Sequence, residues 1–213
     1  MNRLTSDLET IADKIRSEFS AKDAAREKAL RLCRESIRYS SNAIRAVHRQ
    51  EYAQAEAQLA SVRSFLDEAN QALADYGDLL HGGFVHNAEK EFVEGRATLA
   101  LIIGKALPGP DELGVGYAAY LNGLGEAVGE LRRYLLDSMR GGNPPRGEEL
   151  LSAMDDIYGI LVTMDFPDAM TIGLRRTTDV VRGILEKTRG DLTLALGQRE
   201  LQRQIESLEK KSL

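Results

Sequence analysis

All five prolines of this chain fall in three places: Pro108 and Pro110, Pro144 and Pro145, and Pro167. Proline removes a helix donor and its ring clashes with the preceding turn, so these positions punctuate a chain otherwise free to run in long helices. Gly109 and the pair Gly141-Gly142 reinforce two of the breaks, and Gly82-Gly83 marks a further one within 77–83. Between the breaks the apolar residues recur at helical spacing. Leu30, Cys33, Ile37, Ile44 and Val47 line one face, and Leu59, Val62, Leu66, Ala69 and Leu73 line another. Further helical stretches are predicted from about Phe84 to Leu107, Asp111 to Met139, Gly147 to Met164, and Pro167 to the C-terminus. No segment alternates like a strand. The pattern predicts an all-α fold, with residues 1–213 forming a single helical domain.

Composition narrows the function classes. The 213 residues are 43% hydrophobic and 29% charged, which suits a packed core rather than disorder. A net charge of −5 excludes a surface that is basic throughout, so any contact with nucleic acid needs a local cluster of Lys and Arg. The one cysteine, Cys33, excludes an internal disulfide framework, fits a reducing compartment and reads as a small buried apolar residue. The N-terminal Met1-Asn2-Arg3-Leu4-Thr5-Ser6-Asp7 lacks the apolar core of a signal peptide, and no apolar run approaches the ~20 residues of a membrane span. The expectation is a soluble, cytoplasmic protein without a membrane partner.

Two charged constellations carry the candidate chemistry. On the first long helix Arg31, Arg34, Arg38, Arg45 and Arg49 fall within a sector of about 60°, separate from the apolar stripe. Such a ridge fits a track of phosphates, which guanidinium groups bind bidentately, and it equally fits a solvated face balanced by neighbouring carboxylates. The second constellation is acidic. Glu91 and Glu94 lie one turn apart on one predicted helix, and Glu126 and Glu130 lie one turn apart on the next, among Gly123, Gly125 and Gly129. Glycine inside a helix is unfavourable by ~1 kcal/mol per site, a burden accepted for close packing or to admit a ligand. Two neighbouring helices would then bring four carboxylates together, a set that repels itself unless a hard divalent ion with oxygen ligands relieves it. Glutamates at this spacing are also commonplace on solvated faces.

The histidines argue against di-iron and zinc chemistry. Of the three histidines, His48, His81 and His86, only His81 has an acid three residues before it, so the paired Glu-x-x-His of di-iron bundles is missing. His-Glu-x-x-His, a P-loop and Gly-x-Ser-x-Gly are missing too. His81 and His86 read as helix-end or core histidines.

Three segments resemble the translin family, in particular its catalytic TRAX-like branch (translin-associated factor X). They are Arg31-Leu32-Cys33-Arg34-Glu35-Ser36-Ile37-Arg38 continuing to Val47-His48-Arg49, then Glu91-Phe92-Val93-Glu94, then Tyr120-Leu121-Asn122-Gly123 through Gly129-Glu130-Leu131-Arg132-Arg133. With 165–196 the likeness spans most of the chain. The resemblance implies about seven helices, assembly into a closed octameric shell with RNA inside, and Mg²⁺-dependent endoribonuclease activity, Mn²⁺ being the alternative ion. It implies Glu91, Glu94, Glu126 and Glu130 as catalytic acids, with Glu94 and Glu130 on the metal. Arg34, Arg38, Arg45 and Arg133 are the expected RNA contacts, and the partners are RNA, single-stranded DNA and further copies in a homo-octamer. The chain departs from the pattern at Glu126, where the family has Asp, and at Leu80-His81-Gly82-Gly83-Phe84, where translin carries a basic motif. Two rival readings stand beside the nuclease. One is a shell that binds RNA or DNA without cleaving it. The other is an adaptor whose C-terminal Leu194, Leu201, Ile205 and Leu208 recruit a helical partner.

Overall fold

The computed structural model describes residues 7–80, 82–140 and 146–212. The predicted break at Gly141-Gly142 and Pro144/Pro145, His81 and the first six residues lie outside the described residues. Among those described there are nine helices and no strand: α1 Leu8–His48, α2 Tyr52–Ala72, α3 Gly77–Leu80, α4 Gly83–Ile103, α5 Pro110–Leu113, α6 Tyr117–Arg140, α7 Gly147–Thr163, α8 Asp168–Thr171 and α9 Leu174–Ser212. Six are long and three are single turns. The all-α expectation holds.

The long helices stack in pairs. α1 and α2 pack on each other and on α4, α4 packs on α6, and α6 in turn meets α7 and α9. One apolar cluster runs through all of them, from Cys33 and Val47 on α1 through Leu59, Phe92 and Val128 to Met154 and Val181. The second predicted stripe, Leu59 to Leu73, is entirely buried. Cys33 is buried as well, and burial first, then the charge of Glu89, pushes its thiol up to about 11, which leaves it unreactive. No helix among the described residues is long and apolar enough to cross a membrane.

Two predicted stretches are each divided by a left-handed turn. The stretch from Asp111 divides into α5 and α6 because Gly114 adopts φ 59 and closes the short helix. A side chain would be strained at this φ, and its Cβ would also displace the guanidinium of Arg63, whose Nη1 donates to the carbonyl of Leu113. The C-terminal stretch divides at Ile172 (φ 48) and Gly173 (φ 81). A β-branched residue is strained in this conformation. Buried Asn122 on α6 stabilises the turn: its Nδ2 donates to the carbonyl of Thr171 (2.9 Å), and its Oδ1 accepts from Thr177 Oγ1 (2.7 Å). The α6 N-terminal half is thereby fixed against α8 and α9.

The glycines of α6 have different roles. A Cβ on Gly123 would come within 2.6 Å of the Lys90 carbonyl oxygen and 2.7 Å of Val93 Cβ, so this glycine is what lets α6 approach the α4 backbone. Gly125 faces the other way, against Thr177 and Val181 of α9. A Cβ on Gly129 would meet only Ile184 Cδ1, at 3.9 Å, an ordinary contact. The expected outcome of Gly123→Ala is a loss of about 1–3 kcal/mol, because the helices must separate. Gly129→Ala is expected to be neutral or to stabilise by up to ~1 kcal/mol, as alanine does in a helix interior. Urea denaturation of the two variants checks the pair, and equal effects would contradict this division of roles.

Candidate metal centre

The close approach at Gly123 sets the geometry of the acidic site. Glu91 and Glu94 project from α4 and Glu126 from α6, and one carboxylate oxygen from each lies within 4.8 Å of the others. All three are half-buried. Glu130, one turn further along α6, stands beside this trio and is held differently. His48, at the last residue of α1, places Nε2 2.5 Å from Glu130 Oε2. An ionised carboxylate only accepts, so that nitrogen carries the proton and donates it. Arg133 lies 3.6 Å from the same oxygen.

Three helices therefore meet at the site. α4 supplies two acids, α6 supplies two, and α1 supplies the histidine that orients the fourth. Lys90, the residue between Glu89 and Glu91, reaches across the same gap, with Nζ 2.5 Å from Glu126 Oε1. His86, one turn earlier on α4, is half-buried and feels both Lys90 and Glu126. Its pKa is lowered, by burial first and then by the charge of Lys90. Sequence reading assigned no site role to His48, Lys90 or His86. Lys90 and Glu94 share an i, i+4 face, and His48 is the middle residue of the hydrophobic-His-Arg turn, so a signal was present for two of them.

The electrostatics divide the four acids. Burial, followed by the charges of Glu91, Glu126 and Glu130, pushes the Glu94 carboxyl up to about 8, against which Lys90 pulls it down. Glu91 is raised too, by burial and then by Glu126. Glu130 is lowered, because the hydrogen bond from His48 outweighs its own burial. At neutral pH without a metal, Glu94 thus retains a proton while Glu130 is ionised. Clustered hard oxygen donors held against their own repulsion fit a divalent cation such as Mg²⁺ or Mn²⁺, and no cysteine or histidine lies in the trio to favour a softer ion.

Arg31, Arg34, Arg38, Arg45 and Arg49 are all exposed. Arg38 pairs with Glu35 and Arg49 with Glu51, whereas Arg31 and Arg34 have no ion-pair partner among the described residues. By helix spacing Arg34 and Arg45 fall within about 60° of His48, so the ridge flanks the side of α1 that meets the acids. Tyr39 packs edge-on against Phe65, with ring centroids 5.3 Å apart, and Tyr52 packs against the core, so both cover its edge.

No family model matches the chain. An uncharacterized protein of Methanocaldococcus jannaschii is 29% identical over 190 residues, covering 88% of this chain and 84% of that protein. AfC3PO, solved in complex with duplex RNA, superposes with a TM-score of 0.80 at 32% identity, over 88% of this chain and 97% of the other. AfC3PO is a translin-family protein. The chain belongs to the translin family. Apo-NeC3PO, at 20% identity and a TM-score of 0.73 over 91% of this chain and all of the other, shares the fold. As a translin-family chain it carries the family's helical framework, with the acids of α4 and α6 facing each other inside it.

The raised Glu94 carboxyl gives a pH signature. Its ordinary value is 4.5 and its folded value about 8, so the folded protein binds the extra proton between these limits. Stability from this group is complete below about pH 4.5 and is lost as pH rises through 8. Glu94→Gln removes the dependence. In EDTA the variant is expected to match the parent near pH 5 and to exceed it near pH 9 by on the order of 2–4 kcal/mol. Denaturation at the two pH values measures this, and a variant no more stable at pH 9 would contradict the buried acid.

Proposed function

We propose that this chain is the subunit of a metal-dependent endoribonuclease that cleaves single-stranded or short duplex RNA inside a closed homo-octameric shell. The observation that carries the reading is the meeting of Glu91, Glu94 and Glu126, from two helices, within 4.8 Å. The duplex RNA bound by AfC3PO, a relative matched over nearly its whole length, supports RNA as the substrate class. The TRAX-like pattern Glu91-Phe92-Val93-Glu94 supports cleavage over binding alone.

Glu94 is common to the clustered trio and to the pair Glu94 and Glu130, and it would be the central ligand, giving up its proton to the solvent on loading. Glu91 and Glu126 would ligate the ion or orient the attacking water. Glu130, kept ionised and aimed by His48, would complete the set. When bound, Mg²⁺ or Mn²⁺ supplies an activated water and charge stabilisation for the leaving oxygen. Arg133, half-exposed beside Glu130, would neutralise the scissile phosphate, while Arg34, Arg38 and Arg45 track the backbone from the ridge on α1. A single cysteine, Cys33, which allows no internal disulfide, supports a cytoplasmic setting.

A second reading is a shell that binds RNA or DNA without cleaving it. It is favoured by Glu126, which stands one methylene longer than the family's Asp and is already paired with Lys90. Cleavage of end-labelled RNA with Mg²⁺ or Mn²⁺ separates the two. The nuclease reading expects Glu94→Gln to be slower by roughly 10²-fold or more. It also expects the combined Arg34→Ala and Arg38→Ala variant to bind RNA with a salt dependence shallower by about two phosphate contacts. Equal rates in parent and Glu94→Gln would sink the assignment. Salt-sensitive binding with no cleavage by either protein would establish the second reading, and a monomer in light scattering would overturn the shell.

A further inference from the structure

We propose that Lys90 is an exchangeable counter-ion of the carboxylate cluster, displaced from Glu126 when a divalent cation is loaded and turned out to solvent by that exchange. The inference rests on the reading of the cluster as a divalent-metal centre. It concerns a residue to which neither the expected ligands nor the expected RNA contacts assign a role.

Lys90 precedes Glu91 by one residue and Glu94 by one turn, and its own carbonyl lies in the tight crossing opposite Gly123. From there the side chain spans the gap, so that Nζ sits 2.5 Å from Glu126 Oε1. In the absence of a divalent ion this is the positive charge inside the trio, and it opposes the raised carboxyls of both Glu91 and Glu94. Two other basic side chains stand near the acids, and both are engaged with Glu130 rather than with the trio: His48 donates to it and Arg133 lies 3.6 Å from it.

An ammonium and a divalent cation compete for the same oxygens. The ammonium has three donors and no lone pair, so it cannot join a coordination shell, and at close range it repels the incoming ion. Lys90 also has a way out. Its side chain is 21% exposed and Glu126 is 37% exposed, so the pair sits at the rim of the crossing rather than beneath it. A four-carbon stem lets the charge swing to water while the backbone remains locked against α6. In this arrangement the lysine offsets part of the acids' mutual repulsion before loading. It also sets a threshold, since a divalent ion must outcompete a tethered charge to enter.

The test uses the full chain and two measurements. Calorimetric titration with MnCl₂ compares the parent with Lys90→Met and Lys90→Gln. Amine acetylation followed by peptide mass spectrometry reads Lys90 in the parent with and without MnCl₂, with exposed Lys14 as the internal reference. The expected results are binding at least about fivefold tighter in both variants, and Lys90 labelling that rises at least about threefold on loading while Lys14 is unchanged. Labelling needs no variant, so a misfolded substitution leaves that arm decisive. If the parent binds Mn²⁺ and Lys90 labelling stays level or falls, or the folded variants bind no more tightly, the exchange is overturned and the metal centre stands. If the parent binds no Mn²⁺ at all, the metal-centre reading fails and the exchange fails with it.

Discussion

The close crossing of α4 and α6 at Gly123 is the constraint on which the site depends. With no side chain at that position, the backbone of α6 rests on the Lys90 carbonyl and on Val93. Glu91 and Glu94, each next to a contact residue on α4, and Glu126, one turn past Gly123 on α6, are then held close together. Glu91, Glu94 and Glu126 cannot relax apart without separating two helices that also share Phe92, Val93, Leu124 and Val128 in the core. Packing energy thus holds together charges that would otherwise disperse. Such an arrangement survives where a ligand repays it, and a hard divalent cation is the ligand whose chemistry matches.

The surrounding helices refine that crossing. Asn122, one residue before the critical glycine, is saturated by carbonyls of the α8–α9 turn and by Thr177, which pins the start of α6. On the other side α1 ends at His48, whose hydrogen bond to Glu130 keeps that acid ionised. The four acids therefore divide into a clustered, partly protonated set and one ionised, oriented member. That asymmetry suits a centre in which some carboxylates hold an ion and another handles a water or a proton. Arg34 and Arg45 of α1 are exposed and, by helix spacing, fall within about 60° of His48.

Much of this was legible in the residues. The proline positions and the 3.6-residue periodicity located the long helices, because burial of one face leaves a mark in the sequence. What they missed were the short turns at Gly114 and at Ile172–Gly173, where one or two left-handed residues end a helix without altering the apolar rhythm. The acids were visible as two pairs, and the family resemblance joined them. Helical spacing alone could not, since it fixes which residues share a face but not which faces meet. The same limit hid His48 and Lys90. His48 is 82 residues from Glu130. Lys90, lying between two glutamates, looks like an ordinary solvated cation until the crossing places Glu126 in its reach.

The central claim is that packing at Gly123 creates a divalent-cation centre from Glu91, Glu94 and Glu126. Its most direct test is a crystal of this protein grown or soaked with Mn²⁺ and measured for anomalous scattering. The account predicts a peak between α4 and α6, bounded by oxygens of these three glutamates, that disappears in crystals of Glu94→Gln. Full-strength peaks elsewhere with none at the crossing would contradict it, as would a peak at the crossing that Glu94→Gln leaves unchanged.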